Sequence, residues 1–281
     1  MTRNVSTHWR LSQVTWIKLV TIAILLAAWQ AIAVSGLLYE GIVPQPLLVA
    51  KALWFELIDP SLYVDLGYTL LESVIGFFFG SSLAIVTGIW LGSSSFSRRA
   101  FEPYILALAS MPKVIFLPIL FLVFGLGIES KIAKAAMSAF FPTVLSTVAA
   151  VLQIDRVLIN VGHSFDLRPT QMARMIYIPA ISRPLMIGLQ LSMAMSIIGV
   201  LSAEIAYANV GLGARMIHYS DQFNISSMYA VMVIIFAVTS TINYAFSKAQ
   251  TPFLRYERVR GEATGGSLAN AAAPGKSAVP G

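Results

Sequence analysis

Ionisable side chains inside apolar runs are the residues of this sequence most suited to chemistry or transport. Glu72 and Glu204 lie in or near the ends of two such runs. Charged groups at membrane depth are costly, and they often line a solute pathway or relay protons. Neither glutamate has a partner three residues away, as a proton relay would need. Two interpretations remain, which are substrate or gating involvement and an ordinary position at the membrane interface.

Motifs that would define an enzyme or a metal protein are missing from the sequence. There is no cysteine, and His8, His163 and His218 lack metal-ligand spacing. Gly275-Lys-Ser277 is similar to the end of a phosphate-binding loop, but Asn270 stands where that loop needs glycine. Nucleophile-elbow and zinc-protease motifs are also missing. We therefore expect no catalysis, no metal and no cofactor, and a membrane-embedded enzyme is disfavoured.

The composition predicts an integral membrane protein. The sequence is 57% hydrophobic and 11% charged, whereas soluble domains carry about 25% charged residues. The net charge is +6, but the basic residues are scattered between apolar runs. That pattern argues against nucleic-acid binding, which needs basic residues gathered on one face.

Six apolar runs are long enough to cross a bilayer, which takes about 20 residues of helix. Helices satisfy their own backbone in lipid, so the predicted fold class is all-α, a polytopic membrane protein with about six transmembrane helices. A cleaved signal is disfavoured, because the first run exceeds the usual length of a signal's apolar region. The predicted spans are residues 17–35, 68–92, 103–124, 131–152, 185–208 and 228–247.

The distribution of lysine and arginine predicts the orientation. Cytoplasmic segments carry an excess of both residues, and this places residues 1–16, 153–184 and 251–281 inside the cell. The transmembrane domain is then 17–250. The tail 251–281 is expected to be disordered, because its last part is mostly Gly, Ala, Ser and Pro.

Two runs carry residues that would shape helix packing. The second run has small residues four positions apart, which lets another helix backbone approach closely. This ridge indicates either tight packing or a helix that slides during gating. It consists of Gly76, Gly80, Ala84, Gly88 and Gly92.

The third run contains proline twice, beside a lysine. A proline removes a backbone hydrogen bond and kinks a helix. Lys113 would be costly against lipid, so it is expected to face a cavity or to reach the interface. The alternatives are a pathway lining and a structural kink, and the residues concerned are Met111, Pro112, Lys113 and Pro118.

The connection 153–184 has more apolar positions than a flexible loop needs, among them Val161, Phe165 and Leu167. Asp166 is expected to cap a short helix with Pro169 in its first turn. A short helix of this composition lies either on the bilayer surface or in a groove of a soluble partner.

This connection resembles the cytoplasmic loop of permease subunits of bacterial ABC importers, most closely the nitrate, sulfonate and taurine branch. The family motif is E-A-A-x-x-x-G-x9-I-x-L-P. Aligning on Pro179 places Ile176 and Ile178 at the I and L positions and Asp166 at the glycine. The Glu-Ala-Ala positions are occupied by Asn160, Val161 and Gly162. The second half of the motif is kept, and the first half is degenerate.

Further segments follow in the family's order over about residues 40–250. Glu72 departs from the family's usual arginine. The matching segments are residues 43–46, 68–72, 101–103, 111–112, 117–118, 124–127, 140–142, 203–204 and 211–213.

The resemblance implies a type I ABC importer permease bundle, a homodimer in the bacterial inner membrane with both termini in the cytoplasm. It implies two cytoplasmic ATPase subunits and a soluble substrate-binding protein, the latter docking on residues 36–67 and 207–227. Residues 157–168, with Phe165, Leu167 and Arg168, would be the coupling helix, and Pro179 and Pro184 would break the chain before span five. The cargo would be a small oxyanion, a sulfonate or a related organic solute. The alternative is a secondary transporter or channel, for which the expected inverted repeats are missing.

Overall fold

Helices make up nearly all of the regular structure in the computed structural model, which describes residues 7–35 and 42–271, with side chains for 15–35 and 42–248. The first helices are α1 (Thr7–Val34), α2 (Pro46–Ile58), α3 (Pro60–Ser93), α4 (Ser95–Ser110), α5 (Leu117–Phe124) and α6 (Ile128–Leu152). The others are α7 (Arg156–Ser164), α8 (Pro169–Met172), α9 (Ile178–Tyr207), α10 (Leu212–Asp221) and α11 (Ile225–Ala271). A 3₁₀ turn (Lys113–Phe116) precedes α5, and a π turn (Ala173–Tyr177) precedes α9.

The all-helical, multi-span class predicted from the sequence is confirmed. Within the described ranges, 5 helical segments are long and apolar enough to cross a membrane, or 6 if one bent pair counts as a span. The segments are Thr15–Val34, Pro60–Ser93, Ile128–Leu152, Pro169–Asp221 and Ile225–Lys248, and the bent pair is Ser95–Ser110 with Lys113–Phe124.

The bent pair corrects the prediction of a single kinked span at 103–124. The two pieces meet at an angle of 92°, because the chain leaves the helix at Met111 and Pro112. Pro118 does not kink anything, since it lies in the first turn of α5. A proline is tolerated there because the first backbone N–H groups of a helix have no internal partner.

Contacts divide the chain into two compact units. One consists of Met1–Thr69 and Glu204–Ala237, and the other consists of Leu70–Ala203 and Val238–Gly281. In the second unit, α3 and α6 bury a core of small and branched apolar side chains. One of its clusters is formed by Ala84, Leu91, Val144 and Val148.

The small-residue ridge of α3 faces α6, and its spacing explains the close packing. A Cβ atom added at Gly88 would lie 2.5 Å from the Cβ of Thr147. A Cβ at Gly80 would collide with the backbone carbonyl of Ala136. Such short approaches are possible only where the side chain is missing. Gly76 and Gly92 meet α6 in the same way, and Ala84 is completely buried.

The structure differs in part from the disorder predicted for the C-terminal tail. The backbone of α11 is helical to Ala271, so the disorder predicted for 251–281 does not hold for 251–271. Five of the eight residues 253–260 are Leu, Arg or Glu, which are good helix formers. Residues 272–281 lie outside the described residues, as do 1–6 of the predicted N-terminus 1–16 and 36–41 of the predicted outer segment 36–67.

Candidate functional site

The polar connection at 153–184 begins with a well-capped helix. The Asp155 carboxylate accepts a hydrogen bond from the backbone N–H of Val157 at 2.9 Å, which satisfies one of the unpaired donors at the start of α7. The helix ends at Ser164. It is therefore shorter than the predicted coupling helix 157–168.

Asp166 does not cap a helix, which corrects the prediction. Its φ is +50°, in the left-handed region that glycine enters without a steric cost. The family motif has glycine at this position, and the backbone conformation is a physical reason for it. The following helix α8 is capped instead at Arg168, whose backbone N–H donates to Gln171 Oε1 at 2.9 Å.

The residues of this segment divide into an inward and an outward set. Gly162 is buried, and a Cβ there would meet the Met172 side chain. Ile176 and Leu167 pack on the same buried cluster. The outward set consists of four exposed apolar side chains with helical spacing, which we name the α7 patch, formed by Val157, Leu158, Val161 and Phe165. Asn160, Arg168 and Pro179 are also exposed.

Helix α8 continues through the π turn into α9 without a break, contrary to the prediction that Pro179 and Pro184 interrupt the chain before span five. Pro179 is the second residue of α9 and directly follows the π turn Ala173–Tyr177. The π turn just before it accommodates the change of helical register. Pro184 lies inside α9, and the whole stretch Pro169–Asp221 is long and apolar enough to count as one span.

Glu72 is paired with a lysine that the sequence did not indicate as its partner. Glu72 Oε1 lies 2.5 Å from Lys131 Nζ, and the two side chains are 0% and 6% exposed. The pair joins α3 to α6 in the core, so an exposed position at the interface is excluded for Glu72. Lys131 and Lys134 stand three residues apart in an apolar helix, and that signal could have identified them as buried cations.

Glu204 forms hydrogen bonds to two segments, residues 68–72 and 211–213, which the family resemblance had matched separately. Its carboxylate accepts a hydrogen bond from Thr69 Oγ1 at 2.7 Å and one from the backbone N–H of Gly213 at 2.8 Å. Gly211 has φ +120°, and a Cβ there would collide with this carboxylate. The fully buried Glu204 therefore fixes the loop between α9 and α10.

Arg215 lies at the centre of a second cluster of charged side chains. The distribution of lysine and arginine along the sequence did not predict this cluster. Its guanidinium donates to Glu56 Oε2 at 2.8 Å and to Asp65 Oδ2 at 3.1 Å, and it also reaches Asp59. Hydrogen bonds from Ser61 and then from Arg215 lower the pKa of Asp59 from 3.8 to about 2. Asp59 therefore stays ionised near neutral pH, and the cluster holds α2, the start of α3 and α10 together.

A cavity of about 480 Å³ opens among the 3₁₀ turn, α6 and α9. Of the six residues predicted to line a pathway or gate, Lys113 lines it, and Glu72, Met111, Pro112, Pro118 and Glu204 do not. Lys134 lines it as well.

These features define a helical, multi-span membrane protein with an anchored apolar patch. Comparison with protein families then identifies it: residues 80–256 match the family described as "Binding-protein-dependent transport system inner membrane component". This is more than half of the chain, and the chain belongs to that family. It is a permease subunit of an ABC importer and not an enzyme, which confirms the family resemblance found in the sequence.

Similar proteins agree with this assignment. The chain is 26% identical over 232 residues to a putative aliphatic sulfonates transport permease, SsuC of Bacillus subtilis, covering 82% of this chain and 84% of that protein. It is 24% identical to the taurine transport permease TauC of Escherichia coli, covering 84% and 87%. The riboflavin transport permease RibX of Chloroflexus aurantiacus is 28% identical, covering 85% and 89%.

Solved structures support the fold. A chain of the MetNI methionine ABC transporter superposes with a TM-score of 0.59 at 18% identity, covering 73% of this chain and 95% of that chain. The type I importer fold expected from the sequence is confirmed by this likeness.

Proposed function

We propose that two copies of this permease form the pathway of an importer driven by two cytoplasmic ATPase subunits. A soluble binding protein delivers a small oxyanion, sulfonate or related organic solute from the outer side. Both termini lie in the cytoplasm. The observation that carries the proposal is the α7 patch, an exposed apolar stripe on a helix that is anchored to a span.

The α7 patch has the geometry of a helix that docks into a groove. Val157, Val161 and Phe165 recur at intervals of four residues, so they share one helix face. Phe165 is 76% exposed and Val157 is 63% exposed. Burying one such side chain stabilises a complex by about 1.5–3 kcal/mol. A groove on a soluble partner is the recognition mode that fits this pattern.

The anchoring of α7 gives the patch a mechanical role. The face opposite the patch contacts the α8 and π-turn residues closely, because Gly162 leaves no space against Met172. Those residues lead directly into α9. Movement of a partner that grips the α7 patch is therefore transmitted to a membrane span, as in other transitions where packed elements move as rigid pieces.

The outer segments support docking of a binding protein. The Arg215 cluster orders α2 and α10, whose residues belong to the predicted outer segments 36–67 and 207–227. A partner that binds there would meet a preformed surface. The choice of solute would then be made largely by the binding protein before the permease is engaged.

We predict that Phe165→Asp releases the ATPase while the permease still inserts into the membrane. The change removes the aromatic side chain of the patch, which is also its most exposed side chain. It places a charge where an apolar groove would have to cover it. Retention of the genomically neighbouring ATPase on the tagged permease is expected to fall about tenfold or more, since ~1.4 kcal/mol is a factor of ten. Quantitative co-purification from detergent extracts measures it.

Phe223→Asp is the matched control, because Phe223 is 87% exposed and lies outside the α7 patch. It should leave ATPase retention unchanged. Because the sequence has no cysteine, Phe165→Cys creates one labelling site, and a membrane-impermeant maleimide should react with it only from the cytoplasmic side. Full retention by Phe165→Asp, or labelling from outside the cell, would contradict the proposed coupling.

A further inference from the structure

Two lysines line the same cavity in the Leu70–Ala203 part of the chain. Lys113 enters from the 3₁₀ turn and Lys134 from α6, and the cavity measures about 480 Å³. Its other lining residues are apolar, small or hydroxylated, and no carboxylate is among them. The cavity therefore combines positive charge with an apolar wall.

The ammonium group of Lys113 is held at the point where α4 ends. It donates to the backbone carbonyls of Ala109 and Met111, and it lies 5.2 Å from the centre of the Phe141 ring. Carbonyls at the end of a helix carry partial negative charge and favour a cation. These contacts position the group at the cavity wall without neutralising it.

Lys134 is a buried cation without a counter-ion in the part of the chain whose side chains are described. It is 3% exposed, and no carboxylate lies within salt-bridge distance of its ammonium group. Lys131, one turn earlier on the same helix, has Glu72 as its partner. Burying an unpaired charge is unfavourable, so an anion bound beside Lys134 would offset that cost.

We infer that this cavity binds a small organic anion, a sulfonate or a carboxylate, with its oxyanion between Lys113 and Lys134. The inference rests on the proposed function, because it assigns the solute class to a site within the permease itself. Ser138 supplies a hydroxyl group at the same wall, whereas the Ser202 hydroxyl donates to the backbone carbonyl of Gly199. The short apolar group of the anion packs against Leu145, Met195 and Ile198.

The cavity favours an organic anion over an inorganic one. Pockets of ~300–1,000 Å³ suit small ligands that bury apolar surface, and this cavity has more apolar wall than a nitrate or sulfate ion would cover. An inorganic ion would give up its water against that wall without an apolar contact in return. A lipid phosphate shares the oxyanion chemistry, and the experiment has to separate the two sources.

The test uses the full-length permease in phosphatidylcholine nanodiscs, without ATPase or binding protein. Binding of ethanesulfonate, butanesulfonate and butanoate is measured by isothermal titration, with nitrate and choline as comparisons. The organic anions should bind, nitrate should bind more weakly, and choline should not bind. Lys134→Gln and Lys113→Gln should each raise Kd about tenfold or more, because each removes a charge-assisted hydrogen bond.

Two further variants control for structural damage. Lys51→Gln removes an exposed lysine of α2 and should leave Kd unchanged, and Lys134→Arg should retain most of the binding. If Lys134→Gln does not fold, the half-buried Lys113 decides the question through Lys113→Gln. An unchanged Kd in the glutamine variants, equal binding of nitrate, or no binding of any organic anion would overturn the inference.

A second arm separates a solute from a lipid headgroup. Nanodiscs containing phosphatidylglycerol should bind the organic anion with the same Kd. If the anionic lipid displaces it and co-purifies with the wild-type chain but not with Lys134→Gln, the occupant is a headgroup and the solute assignment is wrong. Because the ATPase is not present in this assay, failure here leaves the coupling at the α7 patch untouched, and failure of that coupling leaves this result untouched.

Discussion

Replacing Lys131 by methionine is expected to destabilise the permease by about 3–5 kcal/mol, the cost of leaving one member of a buried ion pair alone. Glu72 is 0% exposed, and its carboxylate lies 2.5 Å from the Lys131 ammonium group. Methionine keeps the length of the side chain and removes the charge. A large fall in the apparent melting temperature in detergent, followed by intrinsic tryptophan fluorescence, would report the loss.

The double variant Glu72→Gln with Lys131→Met separates charge from shape. When both charges are removed, no unpaired carboxylate is left in the core. Replacing a whole buried ion pair often changes the stability little. The double variant should therefore melt well above Lys131→Met. Lys51→Met, at an exposed lysine, should change little. A double variant as unstable as the single one would show that the pair itself is not what Lys131 contributes.

Gly80→Ala is expected to lower the stability by at least about 1–3 kcal/mol, the usual cost of overpacking. Its new Cβ atom would collide with the backbone carbonyl of Ala136 on α6. A backbone atom cannot turn aside as a flexible side chain does, so the two helices must separate. Gly80→Leu should prevent accumulation of the folded protein. Thermal denaturation in detergent and the yield of monodisperse protein measure the two effects.

Gly67 on the same helix is the matched control. A Cβ atom there would meet nothing within 4 Å, and alanine is favoured over glycine inside a helix by about 1 kcal/mol. Gly67→Ala should leave the melting temperature unchanged or raise it slightly. Equal effects of alanine at positions 67 and 80 would mean that helix propensity, and not the contact between α3 and α6, decides the outcome.

Much of the architecture could be predicted because it depends on properties that are local in the sequence. The length of the apolar runs predicts helical spans, since a bilayer allows few other backbones. The four-residue interval from Gly76 to Gly92 predicts one face of a helix before any partner is known. The apolar positions around Phe165 likewise predict a short helix whose apolar face is covered by the bilayer surface or by a soluble partner.

Contacts between distant segments could not be predicted in the same way. The partner of Glu72 is Lys131, the carboxylate of Glu204 holds Gly213, and Lys113 shares a cavity with Lys134. Each of these depends on which helix faces meet and at what height along their axes. Composition and periodicity do not specify that register.

The class of this protein follows from its sequence alone: it is a helical membrane bundle with a polar connection before its fifth span, and that connection carries regularly spaced apolar residues. Three features became clear only from the packed structure: the 92° bend at Met111 and Pro112, the continuity of α8 with α9, and the left-handed turn at Asp166. The apolar pattern and the backbone hydrogen bonds of a helix are local to its segment, so they can be predicted from that segment's own residues. The bend, the continuity and the buried charges arise only when the segments pack against one another.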